Sequence, residues 1–132
     1  MNRWIPESGL LAPVMGLAPV AIYHFGSSAG DPAALRDDSD IDLAFFSTRP
    51  CDPYAVFLAA QEIARLAGRE VDLVDLRRSG SVFKAQVIGQ GRRIFTAPGG
   101  QRLADEFEML AFADYARLNE ERGEIIAAEL AR

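Results

Sequence analysis

The stretch "FGSSAGDPAALRDDSDIDLAFF", residues 25–46, places a Gly-Ser pair, a polar loop and two aspartates in front of an apolar run. The run IDLAFF reads as a buried strand, and VAIYHF (residues 20–25) reads as another that stops at Gly26. Residues i and i+2 of a strand project to the same face, so Asp40 and Asp42 present two carboxylates side by side at the mouth of the second strand. Such a pair repels itself and raises its own pKa unless a cation intervenes. Hard divalent cations with oxygen ligands suit it, and Mg2+ in particular takes a few carboxylates together with substrate phosphates. Gly26 and Ser27, between a strand and an expected short helix, allow close backbone approach and free N–H groups for phosphate oxygens.

Outward from this stretch the chain alternates. Residues 7–17, punctuated by proline, suggest a weak helix before the first strand. Asp31–Ser39 carries turn chemistry, with Asp37 and Asp38 as solvated loop charge. Asp52-Pro53 is a helix start, and YAVFLAAQEIARLA keeps helical periodicity until Gly68. EVDLVDL, residues 70–76, is a third strand with Val71, Leu73 and Asp75 on one face and Asp72, Val74 and Leu76 on the other. Asp72 thereby becomes a third acidic candidate, whereas Asp75 points away from it. Ser79 is expected to cap a short helix through Gln90, and RRIFT is a fourth strand. From Gln101 onward the sequence is helix-forming, with Leu103, Phe107, Leu110, Ala111, Tyr115 and Leu118 as its expected apolar stripe. At 1.5 Å per residue that helix would run to ~45 Å, longer than a domain of this size is wide. Ile125, Ile126 and Leu130 lie where little core should remain, which points to docking on a partner or a second copy.

Composition bounds the rest. The 132 residues suit one domain, with a core over about 18–97 and a C-terminal helix over about 100–130. The expected class is α/β (α+β): a small mixed sheet of about four strands flanked by helices. No apolar run approaches the ~18 residues needed to cross a bilayer, and Pro13, Gly16 and Pro19 interrupt the one stretch resembling a leader, so a soluble cytoplasmic protein is expected. One cysteine, Cys51, and one histidine, His24, leave no Cys/His zinc set and no internal disulfide. His24 reads as a strand histidine with its ring partly packed, and Cys51 as a loop residue. Net charge of −5 argues against gripping phosphate backbones, so no direct nucleic-acid partner is expected. The pairs Arg77-Arg78 and Arg92-Arg93 read as solvated surface.

Gly26-Ser27, Asp40-Ile41-Asp42 and Asp72 within VDLVDL, in this order of elements, resemble the minimal nucleotidyltransferase (MNT) family of the DNA polymerase beta-like superfamily. The resemblance covers essentially the whole chain. It implies a polymerase beta-like nucleotidyltransferase fold and an antitoxin of a HEPN/MNT toxin–antitoxin pair, which transfers AMP from ATP to a tyrosine hydroxyl of a cognate HEPN-domain toxin. It further implies that Gly26, Ser27 and Ser28 cradle the triphosphate, with Arg36 supplying positive charge. Asp40 and Asp42 would hold two Mg2+ ions, and Asp72 would bind the metal on the nucleophile side and help remove the hydroxyl proton. Two departures stand out: twelve residues separate the Gly-Ser pair from Asp40 where ten are common, and GSSAG replaces the arginine-bearing GSRARG. They keep two alternatives open, a relative that neutralises its partner by binding alone, and a small-molecule, aminoglycoside-type nucleotidyltransferase.

Overall fold

The computed structural model describes residues 8–26 and 40–131, and of Ser8 only the backbone. Its elements run α1 (Ser8–Met15), β1 (Ala21–Phe25), β2 (Ile41–Phe46), α2 (Pro53–Ala67), β3 (Val71–Asp75), a 3-10 turn (Leu76–Arg78), α3 (Ser81–Gln90), β4 (Arg92–Thr96) and α4 (Gln101–Leu130). The four strands form one mixed sheet in the order β3-β2-β1-β4, with β1 antiparallel to both neighbours and β2 parallel to β3. A parallel pair needs a crossover, and α2 supplies it. The expected helix at Ser27 and the turn over Asp31–Ser39 fall outside the described residues.

Local chemistry sets the boundaries of α2. The Asp52 side chain accepts the Ala55 N–H at 3.2 Å, Pro53 occupies the first turn where no N–H is needed, and Gly68 closes the helix at φ 69°. Its buried residues Val56, Ala59, Ala60 and Ile63 fall three and four apart, as one helical face requires.

Strand alternation then divides the core into two layers. Ile22, Ile41, Leu43, Phe45 and Leu73 pack against α1 and α2, while Tyr23, Ala44 and Phe46 pack against α3 and α4. Asp42 shares the second face by parity, so the carboxylate stands on the side of the sheet that α4 covers further along. Phe107 of α4 stacks on Phe46 with ring centroids 3.9 Å apart, and the Arg77 guanidinium lies over both rings. Tyr23 donates its hydroxyl hydrogen bond to Glu108 at 2.7 Å, and Arg93 pairs with both Glu108 and Asp105. These contacts bolt the helix to β1 and β4.

Four expectations change. Arg77 and Arg93 are anchors of this helix, not solvated rim residues, because Arg77 also donates to the Ser47 carbonyl at 2.8 Å. The stripe of α4 that meets the core is Ala104, Phe107 and Ala111, whereas Leu103 and Leu110 are exposed. Leu76 lies in the 3-10 turn after β3, still buried. The cap of α3 is Gly80, since Ser79 is taken up by the turn before it and donates its hydroxyl to the Asp75 carbonyl. Among the described residues no helix is long and apolar enough to cross a membrane.

Candidate active site

The site forms where β1 ends and β2 and β3 begin. Parallel pairing sets Asp42 directly beside Asp72 and Ile41 beside Val71, and the Ile41 N–H donates to the Glu70 carbonyl at 2.9 Å. Asp40, Asp42, Glu70, Val71 and Asp72 line an open depression of about 330 Å3. The three carboxylates expected from the sequence are thus brought to one place. Glu70 was missed; it stands two residues before Asp72 as Asp40 stands before Asp42, so the same alternation pointed to it.

Gly26 lies against the Asp42 side chain. Its φ is 83°, and a methyl group there would overlap Asp42 Oδ2 and stand 2.8 Å from Asp42 Cγ. Only glycine admits both the turn and the carboxylate. Ser27, Ser28 and Arg36 lie outside the described residues.

Electrostatics mark Asp42 as the strained member. Partial burial raises its carboxyl above the ordinary carboxylate value, and the charges of Asp72 and Asp40 raise it further. Asp75, by contrast, is buried on the far side and fully engaged, accepting the Cys51 N–H at 2.8 Å and the Arg77 N–H at 3.0 Å. It is a structural cap, as its parity indicated.

A divalent cation fits this donor set. The ligands are hard oxygens, and Asp42 carries an electrostatic cost that a cation would remove. Among the described residues no three acidic, cysteine or histidine side chains already form a ligand set for one ion. Mg2+ does not need one, because it completes its shell with water and substrate phosphates.

His24 sits behind the turn, only 1% exposed, and is fully buried rather than partly packed. Burial, reinforced by Arg92 and Arg69, depresses its pKa to about 4. A histidine depressed below its unfolded value near 6.5 favours the fold when neutral, so its contribution is complete above that pH and is lost as pH falls towards 4. The loss amounts to roughly 3 kcal/mol at 1.36 kcal/mol per pH unit. Urea midpoints measured between pH 7 and 4 should therefore fall, and His24→Leu should flatten that part of the profile.

Carboxylates at the heads of two parallel strands of a mixed sheet, facing a glycine turn at the end of the adjoining strand, suit a divalent cation and a phosphate-bearing substrate, as a nucleotidyltransferase requires. The chain belongs to the polymerase beta nucleotidyltransferase family, whose model (Polymerase beta, Nucleotidyltransferase) matches residues 16–98. It is similar to the protein adenylyltransferase MntA of Shewanella oneidensis, 34% identical over 105 residues that make up 80% of this chain and 72% of that protein. Among solved structures, one of a toxin–antitoxin with AMP-PNP contains a chain 30% identical, at a TM-score of 0.77, with 96% of this chain and 99% of that one covered. Another holds a tri-AMPylated Shewanella oneidensis HEPN toxin in complex with its MNT antitoxin. The matching chain is 28% identical, with 93% and 94% covered and a TM-score of 0.71.

Proposed function

We propose that this chain is an Mg2+-dependent nucleotidyltransferase that acts as an antitoxin, moving AMP from ATP to a tyrosine hydroxyl of a cognate HEPN-domain toxin. The observation that carries this reading is Asp42, held beside Asp72 by strand register and against Gly26 by the turn. The adenylyltransferase relative and the AMP-PNP and AMPylated-toxin structures support adenylyl as the transferred group and a HEPN protein as its acceptor.

In this reading Gly26 lets the triphosphate approach the backbone, and Ser27, Ser28 and Arg36 supply further contacts to it. Asp40 and Asp42 would hold two Mg2+ ions, with Asp72 a ligand of the one on the nucleophile side. When bound, the ions stabilise the entering and leaving oxygens of an in-line displacement. Asp72 accepts the proton of the tyrosine hydroxyl as its oxygen bonds to the α-phosphorus. The bond from that phosphorus to the bridging oxygen breaks, and pyrophosphate leaves. Positioning and charge neutralisation are most of what such a transfer asks of a protein.

The test is incubation of the purified protein with Mg2+, α-labelled ATP and the cognate HEPN toxin. Label and an AMP mass increment should appear on the toxin and vanish with chelator. A folded, bound toxin that stays unlabelled would contradict the reading. Neutralisation by binding alone is the second reading, favoured by the exposed distal part of α4; it requires neutralisation to survive Asp→Ala changes at Asp40, Asp42 and Asp72 together.

A further inference from the structure

The cradle proposed for the triphosphate is short of positive charge. Residues 27–39 carry Asp31, Asp37 and Asp38 against the single Arg36, and the depression at the head of β2 and β3 is lined by Asp40, Asp42, Glu70 and Asp72. A triphosphate keeps net negative charge even with Mg2+ bound, so a guanidinium within reach favours it.

β4 brings one such group to the same end of the sheet. Antiparallel pairing sets Arg92 opposite His24, two residues before Gly26, and directly opposed residues share a face. The junction that delivers Arg92 is close. At Gly91 an added methyl group would stand 2.8 Å from the His24 carbonyl oxygen and 3.1 Å from Phe25 Cβ. From His24 to Gly26 the chain advances only ~7 Å, a distance that a long arginine stem on the neighbouring strand can cover.

Arg92 is also an arginine whose charge the fold leaves unanswered. The sequence reads it as solvated surface, but its Nε is buried, and among the described residues that atom has no hydrogen-bond partner. The ion pairs among the described residues engage Arg65, Arg93, Arg102 and Arg117 and leave Arg92 out. Burial first, and then the charges of Arg92 and Arg69, hold the His24 imidazole neutral, which sets positive charge close behind the glycine turn. A buried N–H without an acceptor costs the fold, and an anion arriving at the turn would offset that cost.

We propose that Arg92 is a triphosphate-binding residue, its guanidinium reaching from β4 to the phosphates at the Gly26 turn and supplying the positive charge that GSSAG lacks. The proposal rests on the nucleotidyltransferase reading above and adds to it a binding group from β4. The planar fork of arginine can hold two phosphate oxygens at once, which an ammonium group does not. Arg93 does not share this task, because it lies on the other face and is paired with Asp105 and Glu108.

The experiment titrates Mg2+-ATP and, separately, inorganic triphosphate with Mg2+ into the full chain, Arg92→Met, Arg92→Lys and Asp42→Asn. Arg102→Met, on the exposed side of α4, controls for the lost charge. Melting without ligand is measured for each protein, and AMP transfer to the cognate HEPN toxin for the parent. Arg92→Met keeps the apolar stem, so it should melt no lower than the parent and bind both ligands at least tenfold more weakly. Arg92→Lys keeps the charge and loses the fork, so its affinity should fall between the two, and Arg102→Met should bind like the parent. In the parent, the Arg92 Nε–H proton resonance should shift when inorganic triphosphate is added, a readout that needs no folded variant. Arg92→Met binding both ligands like the parent, or an Nε–H signal that inorganic triphosphate leaves in place, overturns the proposal; loss of binding in Asp42→Asn alone then leaves the nucleotide site standing. Arg92→Met that melts lower with its binding intact makes Arg92 a structural residue and likewise overturns it. A parent whose binding depends on Arg92 but which transfers nothing upholds the contact and overturns the reaction. A parent that binds neither ligand overturns both.

Discussion

Gly26→Ala should reduce nucleotide transfer at least a hundredfold and cost about 2 kcal/mol of stability. Two effects add. Alanine at a φ of 83° carries backbone strain of about 1 kcal/mol, and its methyl group would overlap Asp42 Oδ2, so either the turn or the carboxylate must move. A displacement near 1 Å at a reacting centre is enough for a hundredfold loss of rate. Thermal melting together with a transfer assay reads both. A Gly26→Ala protein that melted and transferred like the parent would mean that Asp42 is not held as described.

Asp42→Asn should give the opposite sign in stability with a larger loss of activity. The substitution preserves shape and removes a charge that partial burial, Asp72 and Asp40 all disfavour. The carboxyl value is raised on folding, so the ionised form costs stability at neutral pH, and that cost disappears as pH falls through the raised value. The asparagine variant should accordingly melt higher at pH 7, by roughly 2–4 °C, since solvent screening holds the gain below about 1 kcal/mol. Below the ordinary carboxylate range the two proteins should melt alike. Transfer should fall on the order of a thousandfold, because the proposed in-line displacement would lose a ligand for the cation that neutralises it. A variant that still transferred would remove Asp42 from the site. One that melted lower would remove the electrostatic explanation.

The contrast between these two variants separates fold from function at one position. Residues proposed to serve a cation and a triphosphate need not serve the bare fold, and Asp42 is the clearest case: a valine there would fit a strand, but would offer the proposed metal no oxygen.

Much of this was legible in residues 25–46 and 70–76, and for a definite reason. Strand periodicity is two, so the spacing of Asp40 and Asp42 dictated their common face, and the parity of Asp72 against Asp75 separated candidate ligand from cap. The start of α2 was equally plain, since Asp52 and Pro53 act within one helical turn. What escaped depended on partners distant in sequence. Arg77 and Arg93 resemble surface charge until Phe46, Phe107, Asp105 and Glu108 are in place around them. The face of α4 was misjudged because large aliphatics suggested the stripe, whereas packing of the helix on the rest of the fold buried the small Ala104 and Ala111 and left Leu103 and Leu110 exposed. Ser79 has the chemistry of a cap, but the preceding turn uses its backbone N–H, donated to Leu76, and its hydroxyl, donated to Asp75.

The central claim is that the carboxylates and the glycine turn make a metal-dependent nucleotide site. Calorimetric titration of ATP into the protein, with and without Mg2+ and with Asp42→Asn in parallel, tests it most directly. Binding that requires Mg2+ and is lost in Asp42→Asn is the expected result. ATP binding that is indifferent to Mg2+ and unchanged in Asp42→Asn would contradict it.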